Sequence, residues 1–170
     1  MADGAVVGAT GGAVATGGAV TIRTATTEAD LALVHGVRHA VFVVEQEISP
    51  DDEWDDLDAT SEHLLAVGPD GAALGTGRLI HGAQALKATG GIEGRVLLGR
   101  LAVLRETRGT GLGAALVRAI EQAGRDRGAS ELELHAQVQA LGFYERLGYV
   151  AEGPEYLDAG IPHRTMTRAL

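Results

Sequence analysis

The chain has 170 residues, 45% hydrophobic and 22% charged, which suits one globular domain with a sizeable core and is too short for two ordinary ones. It has no cysteine, which excludes disulfides, thiolate nucleophiles and cysteine-ligated zinc, and no run of about twenty consecutive apolar residues that would span a membrane. The net charge of -9 disfavours nucleic acid and anionic lipid as partners, because both need a basic surface to displace counterions; a cationic partner suits it better. Apart from Met1 and Asp3, residues 1–19 are Ala, Gly, Val and Thr with no basic start of a secretion signal. They read as a low-complexity tail on a domain spanning 20–170, and the expected compartment is the cytoplasm. Val20 to Thr26 alternates like a strand, and Thr27 with Asp30 supplies N-cap chemistry for a helix over Leu31 to Val44. Residues 45–62 carry nine acidic side chains and no basic one, broken by Pro50, the composition of an irregular solvated segment or a short helix.

Leu64 to Val67 and Ala73 to Ile80 flank Pro69-Asp70-Gly71, a turn sequence that pairs the two runs as a hairpin. A glycine-rich loop around Gly90, Gly91 and Gly94 leads to Val96–Leu104, dense enough in Leu and Val to be a central strand. Arg108-Gly109-Thr110-Gly111-Leu112-Gly113 follows and opens a helix that buries Leu112, Leu116, Val117 and Ile120 and stops at Gly128. Strand Glu131 to Gln137, a short helix Ala140 to Leu147, and strands Tyr149 to Glu152 and Arg164 to Arg168 complete a mixed α/β order without internal repeats.

The glycine turn carries the chemistry. Glycines let the backbone approach an anion, and the free N–H groups and dipole of the following helix attract one, so the segment reads as a pyrophosphate cradle with Arg108 at its lip. A nucleotide P-loop would need Lys-Ser or Lys-Thr after the last glycine, where this chain has Ala114 and Ala115. A dinucleotide fingerprint fits Gly109, Gly111 and Ala114, with Glu133 about twenty residues on, but its turn follows the strand directly. Here Arg105-Glu106-Thr107-Arg108 intervene, and too little chain follows to finish a doubly wound sheet. A plain helix-capping turn explains one glycine, not three in six residues.

Arg108-Gly109-Thr110-Gly111-Leu112-Gly113, preceded by Leu101-Ala102-Val103-Leu104, resembles the R/Q-x-x-G-x-G/A signature of the GNAT superfamily of acyl-CoA N-acyltransferases. Ala140 to Tyr149 resembles the family's A-x-x-F-Y-x-x-x-G-F/Y segment. Val41 to Gln46, Ser61-Glu62-His63, Ala136-Gln137 and Leu157 to His163 resemble its YjcF/ElaA-like subgroup. The likeness covers residues 20–170. It implies a single α/β (mixed α+β) domain with a mostly antiparallel, splayed sheet and helices on both faces.

The resemblance also implies roles. Leu101, Ala102 and Val103 would bind the pantetheine arm of acetyl-CoA as an added strand would, and their amides would polarise the thioester carbonyl. Arg108, Gly109, Thr110, Gly111, Leu112, Gly113 and Ala114 would hold the pyrophosphate, and Gln137 and Phe143 would face the coenzyme. Tyr144 would be the general acid for the departing thiolate, since a phenol of pKa about 10 is protonated at neutral pH; the alternative is an aromatic packed beneath its helix. Glu45 is the candidate base and acceptor contact, with His63, His135 or a water chain as alternatives. Arg38 and His163 would contact the acceptor or fix the acidic loop, which in turn lines the acceptor entrance or is a plain solvated surface. His35 and His39 have the spacing of a two-histidine metal site but lack a third ligand, so no metal is expected. With no cysteine to carry the acyl group, direct attack on acetyl-CoA by an amine, of a small molecule or a peptide, is the expected reaction. No nucleic acid or membrane partner is expected, and a homodimer is compatible with the sequence. The rival readings are a non-catalytic acyl-CoA binding or regulatory module and an acyl-homoserine lactone synthase-like enzyme.

Overall fold

The computed structural model describes residues 4–5 and 19–170. Seven strands form one continuous sheet: β2 (Thr21–Thr24), β3 (Glu62–Val67), β4 (Ala73–Ile80), β5 (Arg95–Val103), β6 (Glu131–Gln137), β7 (Val150–Asp158) and β8 (Ile161–Ala169), in the order β2-β3-β4-β5-β6-β8-β7. Every neighbouring pair is antiparallel except β5 and β6, which run parallel. The final hairpin is longer than its sequence signals, because Ala159 and Gly160 both take φ > 0 and turn the chain tightly between β7 and β8.

Helix α4 (Leu112–Asp126) lies on one face of the sheet, where Leu116, Val117 and Ile120 are fully buried with Leu98, Leu101 and Val103. Its closeness depends on Gly77 in β4, where a Cβ would sit 2.5 Å from Ile120 Cδ1. On the opposite face, α1 (Glu28–Arg38) is capped by Thr27, whose hydroxyl accepts from Asp30 N–H at 3.1 Å. The expected helix over 31–44 continues past Arg38 only by widening: His39–Glu45 is π-helical, and Gln46 N–H donates to the Val41 carbonyl five residues back. Val37, Val41 and Phe42 from this stretch pack on Ala102.

The acidic segment is more ordered than its composition implies. It forms α2 (Pro50–Glu53) and a 3-10 turn at Asp56–Thr60, and it turns three of its carboxylates inward. A further helix, α3 (Gly82–Ala88), precedes the glycine-rich loop and packs Ala85 on Ile80 and Leu97. Helix α5 (Leu141–Arg146) follows β6.

The parallel pair opens at a defined point. β5 and β6 are in register only from Arg95↔Glu131 to Leu98↔Leu134. Between Gly99 and Ala102, β5 spends three residue steps where β4 spends two from Arg78 to Thr76, so β5 carries an extra residue, a bulge in which Arg100 adopts φ 49°. The bulge reverses the facing of the later residues: Leu98 and Leu101 both reach the α4 side. Beyond it β5 stays with β4 and β6 stays with β8, leaving a wedge between them. Gly4–Ala5, two residues of the segment expected to be a tail, form β1 in that wedge, parallel to β6 opposite His135 and Ala136. The remainder of the expected tail up to residue 18 lies outside the described residues.

Candidate active site

The wedge ends at the glycine turn. Leu104 N–H donates to Leu74 O of β4 at 2.9 Å, so by the two-residue alternation of a strand the main-chain groups of Ala102 also face β4 while those of Leu101 and Val103 face the wedge. The three residues assigned together from sequence therefore divide: Leu101 turns its N–H and carbonyl to the opening, Val103 its N–H, and Ala102 is committed to the sheet. Arg108 Nε donates to the Val103 carbonyl at 3.0 Å and ties the strand end to the turn. Thr110 closes the turn by donating its hydroxyl to Thr107 O at 2.6 Å.

Gly109 and Gly111 take φ 78° and 87°, a region that side chains with a Cβ avoid. Gly111 is the N-cap of α4 and supplies no side-chain cap, and nothing lies within 4 Å of where its Cβ would be. Ala115 N–H makes the first bond of the helix, to Gly111 O at 3.0 Å, which leaves the N–H groups of Leu112, Gly113 and Ala114 without helical partners. Uncapped donors facing open space at the positive end of a fifteen-residue helix fit a pyrophosphate. Phe143 of α5 stands 3.4 Å from the Cβ position of Gly113, placing α5 against the same turn.

Glu45 and Arg108, assigned separately from sequence, are one unit. Arg108 Nη1 and Nη2 donate to Glu45 Oε1 and Oε2 at 2.6 and 2.8 Å, a bidentate fork. The Arg108 hydrogen bonds hold the Glu45 carboxyl below its ordinary range, with lesser help from Arg105. A carboxylate so held is a weaker proton acceptor than the free base expected of it. His135 is also engaged at both ring nitrogens, by Glu133 at 2.8 Å and the Tyr156 hydroxyl at 2.6 Å. His63 faces the Asp58 carbonyl at 2.9 Å, and burial pushes its pKa down.

Tyr144 is fully buried, its hydroxyl has no hydrogen-bond partner, and burial pushes its pKa upward, so the phenol is a protonated donor with nothing to donate to. Its ring packs edge-on against Phe143 and Tyr149.

Arg38, expected to contact the acceptor or fix the acidic loop, belongs to a buried ion network. Arg38, wholly enclosed, donates to Glu53 Oε1 and Asp58 Oδ1, both at 2.6 Å, and lies 4.3 Å from the Trp54 ring. Arg78 pairs with Asp55 at 2.6 Å and Asp58 at 3.0 Å, and Arg100 at the bulge donates to the Glu53 carbonyl at 3.1 Å. Arg38 thus fixes the acidic loop. Burial raises the Asp58 pKa, but Arg38 and Arg78 outweigh it and hold the carboxyl down to about 2. Sequence reading missed Arg78, Arg100 and Glu53; the signal was an arginine set in the middle of each of two strands that are mostly apolar.

Gln137 and His163 are register partners at the ends of β6 and β8, and both are buried. Gln137 donates to Gln46 Oε1 at 3.1 Å and accepts from Gln139, which links the strand end to the π-helical turn. Together with Phe42, Ile48, Asp52, Glu53, Arg100 and Ile161, these two enclose a small chamber. The His35 ring packs at a tilt of 59° against Trp54, with centroids 4.0 Å apart, and among the described residues no group of three or more His, Asp or Glu has metal-site geometry. No helix among them is long and apolar enough to cross a membrane.

Residues 37–170 match the acetyltransferase (GNAT) domain family. The chain is 40% identical over 134 residues to the uncharacterized N-acetyltransferase YjcF of Bacillus subtilis, covering 78% of this chain and 87% of that protein. The crystal structure of a putative N-acetyltransferase from Lactobacillus plantarum superposes with a TM-score of 0.79 at 29% identity, over 89% of this chain and 99% of that one. Escherichia coli ElaA superposes with a TM-score of 0.75 at 24% identity, over 88% and 99%, a likeness of fold.

Proposed function

The chain belongs to the GNAT acetyltransferase family, an acyltransferase of its YjcF/ElaA-like branch, and from that premise we propose that it transfers acetyl from acetyl-CoA to a primary amine by direct attack. The observation that carries this reading is the wedge between β5 and β6, which runs from the Arg100 bulge to three uncapped N–H groups at the start of α4. That β1 lies in the wedge supports the fit of an extended chain there.

When bound, the coenzyme supplies an acetyl group activated as a thioester. Leu101 and Val103 would hold the pantetheine arm through their main-chain groups and polarise the carbonyl with their amides. The N–H groups of Leu112, Gly113 and Ala114, with Gly109, Gly111 and Thr110 shaping the turn, would hold the pyrophosphate. Arg108 would offer its remaining guanidinium N–H groups at the lip and is aimed by Glu45, which in this reading is a positioning residue. As the C–N bond forms and the C–S bond breaks, Tyr144 would donate its proton to the leaving sulfur, a role its partnerless hydroxyl supports, and the proton shed by the attacking nitrogen would leave through water. Gln137, at the strand end, and Phe143, against the turn, would line the coenzyme path. Thiol release from acetyl-CoA, followed across a panel of primary amines, tests the reading: amine-dependent release is expected. Tight CoA binding with no release for any amine would favour a non-catalytic acyl-CoA binding module.

A further inference from the structure

Three arginines, Arg38, Arg78 and Arg100, meet Glu53, Asp55 and Asp58 in the buried network, so the charges there balance. One member of the network, Glu53, and one neighbour, His163, each leave a hydrogen-bonding atom unmet. Glu53 is 2% exposed; its Oε1 accepts from Arg38 and its Oε2 has no partner. His163 is 0% exposed; its Nδ1 lies 2.7 Å from the Ile161 carbonyl and its Nε2 has no partner.

A carbonyl only accepts, so His163 Nδ1 carries the proton in the neutral ring and Nε2 is left as an acceptor. Both unmet groups are therefore hydrogen-bond acceptors. Both residues line the same chamber, where the space for the centre of a water-sized sphere is about 10 Å³, enough for one such group. Leaving two buried acceptors unmet is costly, whereas a small group rich in donors satisfies both. Asp52, exposed at the chamber wall, adds a carboxylate beyond the balanced set. The chamber adjoins the wedge through Gln137 at the end of β6 and Arg100 at the bulge of β5.

We infer that Glu53 Oε2 and His163 Nε2 form the subsite for the nitrogen of the acceptor, and that it takes an unsubstituted primary ammonium head while excluding N-methylated ones. This rests on the proposed amine acetylation and narrows it. An –NH3⁺ group has three donors and the size of a water molecule, so one donor meets each acceptor and the positive charge meets Glu53 and Asp52; the third proton passes to water before the neutral nitrogen, still donating to both acceptors, attacks the thioester carbon. A trimethylammonium head has the same charge, no donor and several times the volume.

The test uses the full chain with ¹⁵N-labelled histidine and two cations at equal ionic strength, ethylammonium and N,N,N-trimethylethylammonium. Ethylammonium is expected to shift the His163 ring nitrogens saturably, with the trimethyl cation at least about tenfold weaker. Glu53→Gln is expected to weaken the ethylammonium response by a similar factor, and His163→Leu to remove the assigned signal while leaving CoA calorimetry unchanged. Should Glu53→Gln unfold because Arg38 and Arg100 lose their counter-charge, the contrast between the two cations on the unaltered protein still decides. Equal shifts with both cations, or none with ethylammonium, overturn the subsite. Selective ethylammonium binding by a protein that binds no CoA keeps the subsite and overturns the proposed function instead.

Discussion

The Tyr144 hydroxyl is buried without a partner, so it contributes a desolvation cost to the fold and no hydrogen bond. Tyr144→Phe is therefore expected to leave thermal stability unchanged or slightly raised while lowering kcat about a hundredfold, the range of a lost general acid, with CoA affinity kept. A melting curve, a titration and a turnover assay on one preparation check all three. Glu45 separates two roles in the same way. Its fork with Arg108 makes Glu45→Gln a substitution that loosens the lip of the turn, so the KM for acyl-CoA is expected to rise several-fold while the pH profile of kcat keeps its shape. A base would do the reverse: its loss would flatten the profile's acid limb. The two residues share an interaction, so Arg108→Ala combined with Glu45→Gln is expected to cost less than the sum of the single changes.

The loop over residues 50–60 is held by ion pairs rather than by apolar burial. Asp58 is the carboxylate that bridges Arg38 and Arg78, and its removal leaves both guanidiniums short of a partner in a dry site. Asp58→Asn is expected to destabilise the fold by about 3 kcal/mol in denaturant titrations. Because the folded pKa is depressed from 3.8 to about 2, the stabilisation is fully present above pH 4 and is lost as the pH falls toward 2. Acid unfolding monitored from pH 5 to 2 is expected to be shallower in the Asn variant. β1 is an element of another kind: Gly4–Ala5 pairs with His135 and Ala136 of β6, inside the wedge that the coenzyme arm would occupy along β5. Removing residues 1–18 is expected to tighten CoA binding a few-fold by calorimetry, because the arm then has no competing strand to displace.

Across the whole molecule, the elements with strong periodicity were legible in sequence. α4 was announced by its apolar stripe and the glycine turn before it, β6 by its alternation, and the hairpin of β3 and β4 by Pro69-Asp70-Gly71. The π-helical widening after Arg38 was not, because its apolar pattern is shared with an ordinary helix and only the hydrogen bonding differs. The bulge at Arg100 was hidden for a related reason: an extra residue in a strand changes which side chains face the core without altering composition. The coenzyme turn is a contiguous segment and so was readable. The Glu53 and His163 chamber joins a loop to the last strand, more than a hundred residues apart, and arises only once Arg38 and Arg100 draw the acidic segment inward. The nine carboxylates of that segment read as a solvated surface because sequence carries no record of which arginines they will meet.

The most direct measurement is amide hydrogen exchange with and without acetyl-CoA. The proposed function predicts saturable protection of the Leu101, Val103, Leu112, Gly113 and Ala114 amides, with binding heat in calorimetry at the same concentrations. Unchanged exchange at those five amides under saturating acetyl-CoA would contradict it.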